Sequence, residues 1–175
     1  MVLEDADKQW LVNVLSQVDF LVYHSPDEIQ TILERIEKVV VQPAAVIVKQ
    51  GQQKSDFFII GYGRVSIWTQ NGSERLNIAN LEPGNYFGEM SLLTGSKCNA
   101  DVVADGETIL YRIDPETFYD IIKRNLTLAD HISKVIVERK QNRQALFGIE
   151  ENVDQEEQYR RVKGTLLNLV DKEEL

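Results

Sequence analysis

The spacing of apolar residues changes twice along the chain. From residue 5 to residue 36 it has a helical period: Trp10, Leu11, Val14, Leu15 and Val18 recur three and four apart. The stretch HSPDEIQTILERIEKV then supplies an N-cap serine, Ser25, with Pro26 at the first helical position and acids in the first turn. Ile29, Ile32, Leu33 and Ile36 form its apolar stripe. Between residues 37 and 114 the pattern shortens to KVVVQ, AAVIVKQ, DFFIIGYGRVSIWTQ, SERLNIANL, ADVVAD and ETILYRID. These runs are rich in β-branched and aromatic residues and are punctuated by Gly, Pro, Asn and Asp. Asn71-Gly72 between two of them is a strong signal for a two-residue hairpin. Several short strands at near-regular spacing predict an antiparallel sandwich or barrel rather than an α/β sheet.

After residue 114 the helical period returns. Asp114-Pro115-Glu116 caps and starts a helix carrying Phe118, Ile121 and Ile122. LTLADHISKVIVERKQNRQALFG follows, with Leu128, Ile132, Val135, Ile136 and Arg139 on roughly one face and Gly148 as a stop. An acidic run from Glu150 to Glu157 separates this from a tail with Tyr159, Val162, Leu166 and Leu169 at helical intervals. The expected class is mainly β with flanking α. Residues 1–148 form one domain (helices in 5–36, strands in 37–114, helices in 115–148), and 149–175 form an acidic linker with a short amphipathic helix.

Composition narrows the functional classes. At 175 residues the chain allows one sizeable domain plus an appendage. Its net charge of −9, from 28 acidic against 19 basic residues, argues against nucleic acid as a partner, because phosphate neutralisation dominates such binding. A single cysteine excludes an internal disulfide framework and fits a reducing compartment. MVLEDADKQW has no basic or apolar leader segment, and the apolar runs are far too short to span a membrane, so the expected location is cytoplasmic. The two histidines, His24 and His131, lie in different helical regions, which removes the clustered ligands a metal-dependent enzyme would need.

The glycines sharpen the picture. VKQGQQKSDFFIIGYGRVSIW places Gly51 and Gly63 at turns around a strand opened by Asp56, and LEPGNYFGEMSLL adds Gly84 and the pair Gly88-Glu89. Over about residues 10–140 the chain resembles the cyclic-nucleotide-binding domain family, the β-roll shared by catabolite-activator-type regulators, cyclic-nucleotide-dependent kinases and gated channels. The resemblance implies an antiparallel β-roll of jelly-roll type with N- and C-terminal helices, and a non-enzymatic sensor. Phe87, Gly88, Glu89, Met90, Ser91, Leu92 and Leu93 match the family's ligand motif. The resemblance implies that Glu89 accepts the ribose 2′-hydroxyl, while the backbone N–H groups of Met90, Ser91 and Leu92 face the cyclic phosphate.

The match then fails. The family's proline falls on Lys97 and its phosphate-binding arginine on Cys98, followed by Asn99, with Asp101 in place of a hydroxyl residue. A guanidinium holds phosphate through two charge-assisted bonds. At roughly 1.5–3 kcal/mol each, their loss removes about 3 kcal/mol or more. That is on the order of a hundredfold in affinity. Asp101 adds repulsion if it faces the pocket. Lys97 is either a solvated loop lysine or a substitute cation, and Cys98 a small buried hydrophobe rather than a nucleophile. Gly88 and Glu89 would also persist if they served only the backbone turn and the helix start.

The expectation is therefore a regulatory module with an altered pocket. It binds cAMP or cGMP weakly, binds another ligand, or binds none, and acts by contact with another protein or a second copy through its C-terminal helices. No cofactor is certain and no membrane partner is expected. The alternatives are a true cAMP or cGMP receptor using Lys97 and a catabolite-activator-type transcription regulator. For the latter, the roughly 27 residues after Gly148 are too few to add a DNA-binding domain.

Overall fold

The strand segment DFFII is apolar without alternation because both of its faces are covered. In the computed structural model, β3 (Phe57–Tyr62) sends Phe58 and Ile60 into the interior of a roll and Phe57 and Ile59 outward under the helices. The structure describes residues 1–17, 24–53, 56–123, 126–146, 159–160, 163–164 and 168, with backbone alone at 126–129 and 143.

Among the described residues, eight antiparallel strands form two four-stranded sheets. The first is ordered β1 (Glu37–Val41), β8 (Thr108–Ile113), β3, β6 (Tyr86–Phe87). The second is ordered β2 (Val46–Val48), β7 (Asp101–Ala104), β4 (Val65–Asn71), β5 (Glu74–Leu81). This is the expected β-roll with flanking helices. The hairpin expected at Asn71-Gly72 sits one residue later. Asn71 still pairs with Glu74, so Gly72 and Ser73 form the loop, with Gly72 at a φ of 61°. Glycine takes that left-handed conformation without a Cβ penalty.

Before the roll come α1 (Asp5–Gln17) and α2 (Pro26–Glu34); within it lies α3 (Glu89–Thr94); after it come α4 (Pro115–Lys123) and α5 (Leu126–Leu146). The capping box at Ser25 is present in full, its side chain accepting the Glu28 N–H while Glu28 accepts the Ser25 N–H. Asp114 starts α4 by accepting the Thr117 N–H at 3.0 Å. Expected positions Val18, Gly148, Val162, Leu166 and Leu169, and the side chain of Leu128, lie outside the described residues.

Two cores result. Inside the roll, Phe58 stacks on Phe87 at 5.0 Å between ring centroids, among Val48, Val65, Cys98, Val102 and Leu110. Outside it, the helices bury Leu11, Leu15, Leu33, Phe118, Ile121, Ile132 and Ile136 against Phe57, Ile59, Tyr111 and Ile113. The Phe57–Phe118 centroid distance is 4.8 Å. Truncating one such ring costs about 3–5 kcal/mol.

A polar tie fixes α1 to the first sheet. Asp7 accepts from the Tyr111 hydroxyl at 2.6 Å, from Lys38 Nζ at 2.9 Å to both carboxylate oxygens, and from the Glu4 N–H at 3.0 Å. Burial pushes the Asp7 carboxyl up, but the bonds from Tyr111, Lys38 and Glu4 outweigh it and hold it below the ordinary value of 3.8. A carboxylate with a depressed folded value stabilises the fold above its unfolded value, and that contribution is lost as pH falls through the folded one. Asp7→Asn should therefore cost about 1.5–3 kcal/mol at pH 7. In urea unfolding, its gap from the unmodified chain should narrow below about pH 4. A gap independent of pH would show that the Asp7 charge contributes nothing.

Candidate functional site

The site grows from the short β6 strand. Phe87 pairs with Phe58, and the chain must then leave the sheet and start α3 within one residue. Gly88 does this with a φ of 95°, a left-handed conformation that favours glycine. The turn places Glu89, the first residue of α3, at 0% exposure.

A carboxylate removed from water needs a counter-charge. It comes from α5. Arg139 Nη1 donates to Glu89 Oε1 at 2.6 Å, while Arg139 Nη2 donates to the Tyr86 carbonyl at 3.0 Å. The same guanidinium lies 5.3 Å from the Tyr86 ring centroid, a cation–π geometry. Burial, with the Glu89 charge adding to it and Arg139 opposing, pushes the Tyr86 phenol up to about 12. The second Glu89 oxygen, Oε2, is buried and has no hydrogen-bond partner.

Glu89 lines a cavity of about 170 Å³ between the second sheet, the β6–α3 turn and α5. Val48, Ile67, Ile78, Ala79, Leu81 and Val102 form apolar walls, and Arg139, Lys140 and Asn142 line the α5 side. Of the residues singled out by sequence, Phe87, Gly88, Glu89, Met90, Ser91, Cys98 and Asn99 line this cavity together. Leu92 is packed in the outer core, and Lys97 is exposed; neither is part of the lining.

The wall at Cys98 is held rigidly. The Cys98 N–H donates to the Gln52 carbonyl at 2.7 Å, and the Cys98 carbonyl accepts the Gly51 N–H at 2.8 Å. Its thiol is buried among the interior residues of the roll. Asp101 accepts the Gln50 N–H at 2.8 Å and pairs with Arg75 at 3.3 Å, so its charge is compensated by a neighbour on β5. The repulsion that an inward Asp101 would have added is thereby relieved. Trp10 packs on Tyr111 and Trp68 lies under Arg75, and neither lines the cavity. Among the described residues no group of three or more His, Cys, Asp or Glu could hold a metal ion.

Glu89, on one side of the cavity, carries a buried carboxylate oxygen without a donor. The half near Cys98 offers thiol, amide and methyl groups, with no guanidinium for a phosphate. Arg139 was the residue sequence reasoning missed as a site residue. It stood on the apolar stripe with Ile132 and Ile136, and an arginine in such a stripe implies a buried anion opposite it.

Comparison with known proteins shows the family. The family model described as the cyclic nucleotide-binding domain matches residues 38–125. The chain is 30% identical over 118 residues to a cAMP-dependent protein kinase regulatory subunit from Mucor circinelloides f. lusitanicus, covering 63% of this chain and 28% of that one. It is 27% identical over 114 residues to the mouse (Mus musculus) potassium/sodium hyperpolarization-activated cyclic nucleotide-gated channel 2, covering 65% of this chain. It spans only 13% of that channel's length. The co-crystal structure of the regulatory domain of Toxoplasma gondii protein kinase A with cAMP superposes with a TM-score of 0.66 at 17% identity, covering 92% of this chain and 59% of that one. At that identity the likeness is one of fold.

The pair between α5 and the roll is testable as a stability element. Arg139→Met leaves Glu89 buried without its cation and should cost about 2–3 kcal/mol, since Arg139 is itself part-exposed. Adding Glu89→Gln should recover much of that loss in a double-mutant cycle by urea unfolding. Strictly additive losses would show that the two side chains are not coupled.

Proposed function

The chain belongs to the cyclic nucleotide-binding domain family, and from that premise we propose that it is a non-enzymatic regulatory module whose pocket reports its state through α5. The observation that carries this reading is the division of labour on one carboxylate. Glu89 Oε1 grips α5 through Arg139, and Oε2 is buried without a hydrogen-bond partner on a residue that lines the cavity. A hydroxyl arriving at Oε2 redistributes the carboxylate's hydrogen bonding and so changes its hold on α5. That difference in contacts is what lets a ligand shift a two-state element.

The pocket is altered on its phosphate side. Cys98 occupies the place of the family's arginine, Lys97 lies exposed off the lining, and Arg139 is committed to Glu89 and Tyr86. Cyclic mononucleotides therefore bind weakly. The output is contact with another protein or a second copy through the C-terminal helices. On this chain, Asp130 of α5 already accepts from Tyr159 and from Lys163, the latter at 2.8 Å, so these two residues and α5 offer one joint surface.

Calorimetry with cAMP and cGMP should show affinity weaker than micromolar, and Cys98→Arg should raise it at least tenfold by restoring a bidentate phosphate ligand. Lys97→Ala should leave it unchanged. Submicromolar binding by the unmodified chain that disappears with Lys97→Ala would replace this reading with that of a true cyclic-nucleotide receptor.

A further inference from the structure

We infer that the cavity selects an uncharged, hydroxyl-bearing ring compound, of which a purine nucleoside is the representative, in preference to a cyclic nucleotide. The inference rests on the reading of this cavity as a ligand pocket and names the chemistry it accepts.

Charge decides the class. The Glu89 carboxylate is neutralised by Arg139 at 2.6 Å, and Asp101 by Arg75 at 3.3 Å. The wall where a phosphate would rest presents Cys98, Asn99 and Ala100, none of them cationic. Lys140 is exposed, so water solvates its ammonium. An anion drawn into this cavity would give up its hydration without a buried partner, and a cation would find the carboxylate already paired. A neutral donor meets the opposite situation. Glu89 Oε2 is a buried acceptor with no partner, and a ligand hydroxyl satisfies it.

Size and polarity agree. A cavity of about 170 Å³ is of the order that holds one small ring, with the remainder of the ligand emerging beside α5. The sugar meets Glu89 and the flat apolar surface of a base meets aliphatic walls such as Ile67, Ile78 and Leu81. A nucleoside lacks the cyclic phosphate, the group for which the wall of Cys98, Asn99 and Ala100 has no cation, while Arg139 is committed to Glu89 and Tyr86.

The test is calorimetry on the full chain with adenosine and guanosine against cAMP and cGMP, and with 2′,3′-dideoxyadenosine, which lacks the 2′- and 3′-hydroxyls. Each nucleoside should bind at least tenfold tighter than its cyclic monophosphate. The dideoxy analogue should bind at least tenfold more weakly than adenosine. Cys98→Arg should reverse the order in favour of cAMP. Equal or tighter binding of cyclic monophosphates by the unmodified chain overturns the inference, as does indifference to the 2′- and 3′-hydroxyls. If the unmodified chain binds neither class, the inference also fails, and Cys98→Arg then separates the two levels. Gain of cAMP binding in that variant keeps the pocket reading, and no gain removes the pocket reading with it.

Discussion

The ion pair between Glu89 and Arg139 joins the two halves of this molecule. Glu89 has no exposed surface, so its charge is tolerable only with a partner, and the partner comes from a helix outside the roll. Packing brings it there. Ile132 and Ile136 are buried against the outer core, and Arg139, one turn beyond Ile136, reaches over the end of β6 to the carboxylate and the Tyr86 carbonyl. Apolar burial seats α5, while the paired charges set where it crosses the roll.

The cavity follows from the same constraint. With α5 held over the β6–α3 turn, the space between the helix and the second sheet is enclosed on three sides. The chemistry of that space is uneven. Around Glu89 it presents a paired carboxylate, and around Cys98 a neutral wall pinned by the Gly51 and Gln52 backbone. The acid at Asp101, which on sequence alone threatens an anion, is tied to Arg75 and Gln50. The charges beside this wall are therefore compensated within the protein.

Much of the fold was legible from residue pattern. Ser25-Pro26 with Glu28 three residues on, and Asp114-Pro115, mark helix starts because capping is a local interaction. The strand runs were visible in β-branched and aromatic clusters. Two details were not. β6 has two residues, too few to show a period, and it exists because Phe58 and Ile59 offer it a paired edge. The hairpin after β4 slipped by one residue because Asn71 still pairs with Glu74, a decision made by strand register rather than by the turn dipeptide. Within the site, seven of the nine residues singled out line the cavity, since they sit on two short segments whose backbone geometry brings them to it. Leu92 faces the outer core and Lys97 faces solvent, because side-chain direction around a short helix and a loop is set by packing.

By itself the sequence determined the order of helices and strands, the left-handed glycine before Glu89, the acid it presents and the absence of a guanidinium at position 98. Those are properties of neighbouring residues, and local sterics and side-chain chemistry suffice for them. Tertiary structure alone decided that Arg139, 50 residues away, is the partner of Glu89, that Asp101 is diverted to Arg75, and that one carboxylate oxygen is buried without a hydrogen-bond partner. Electrostatic compensation depends on distance and burial, and neither exists until the helix has packed against the roll.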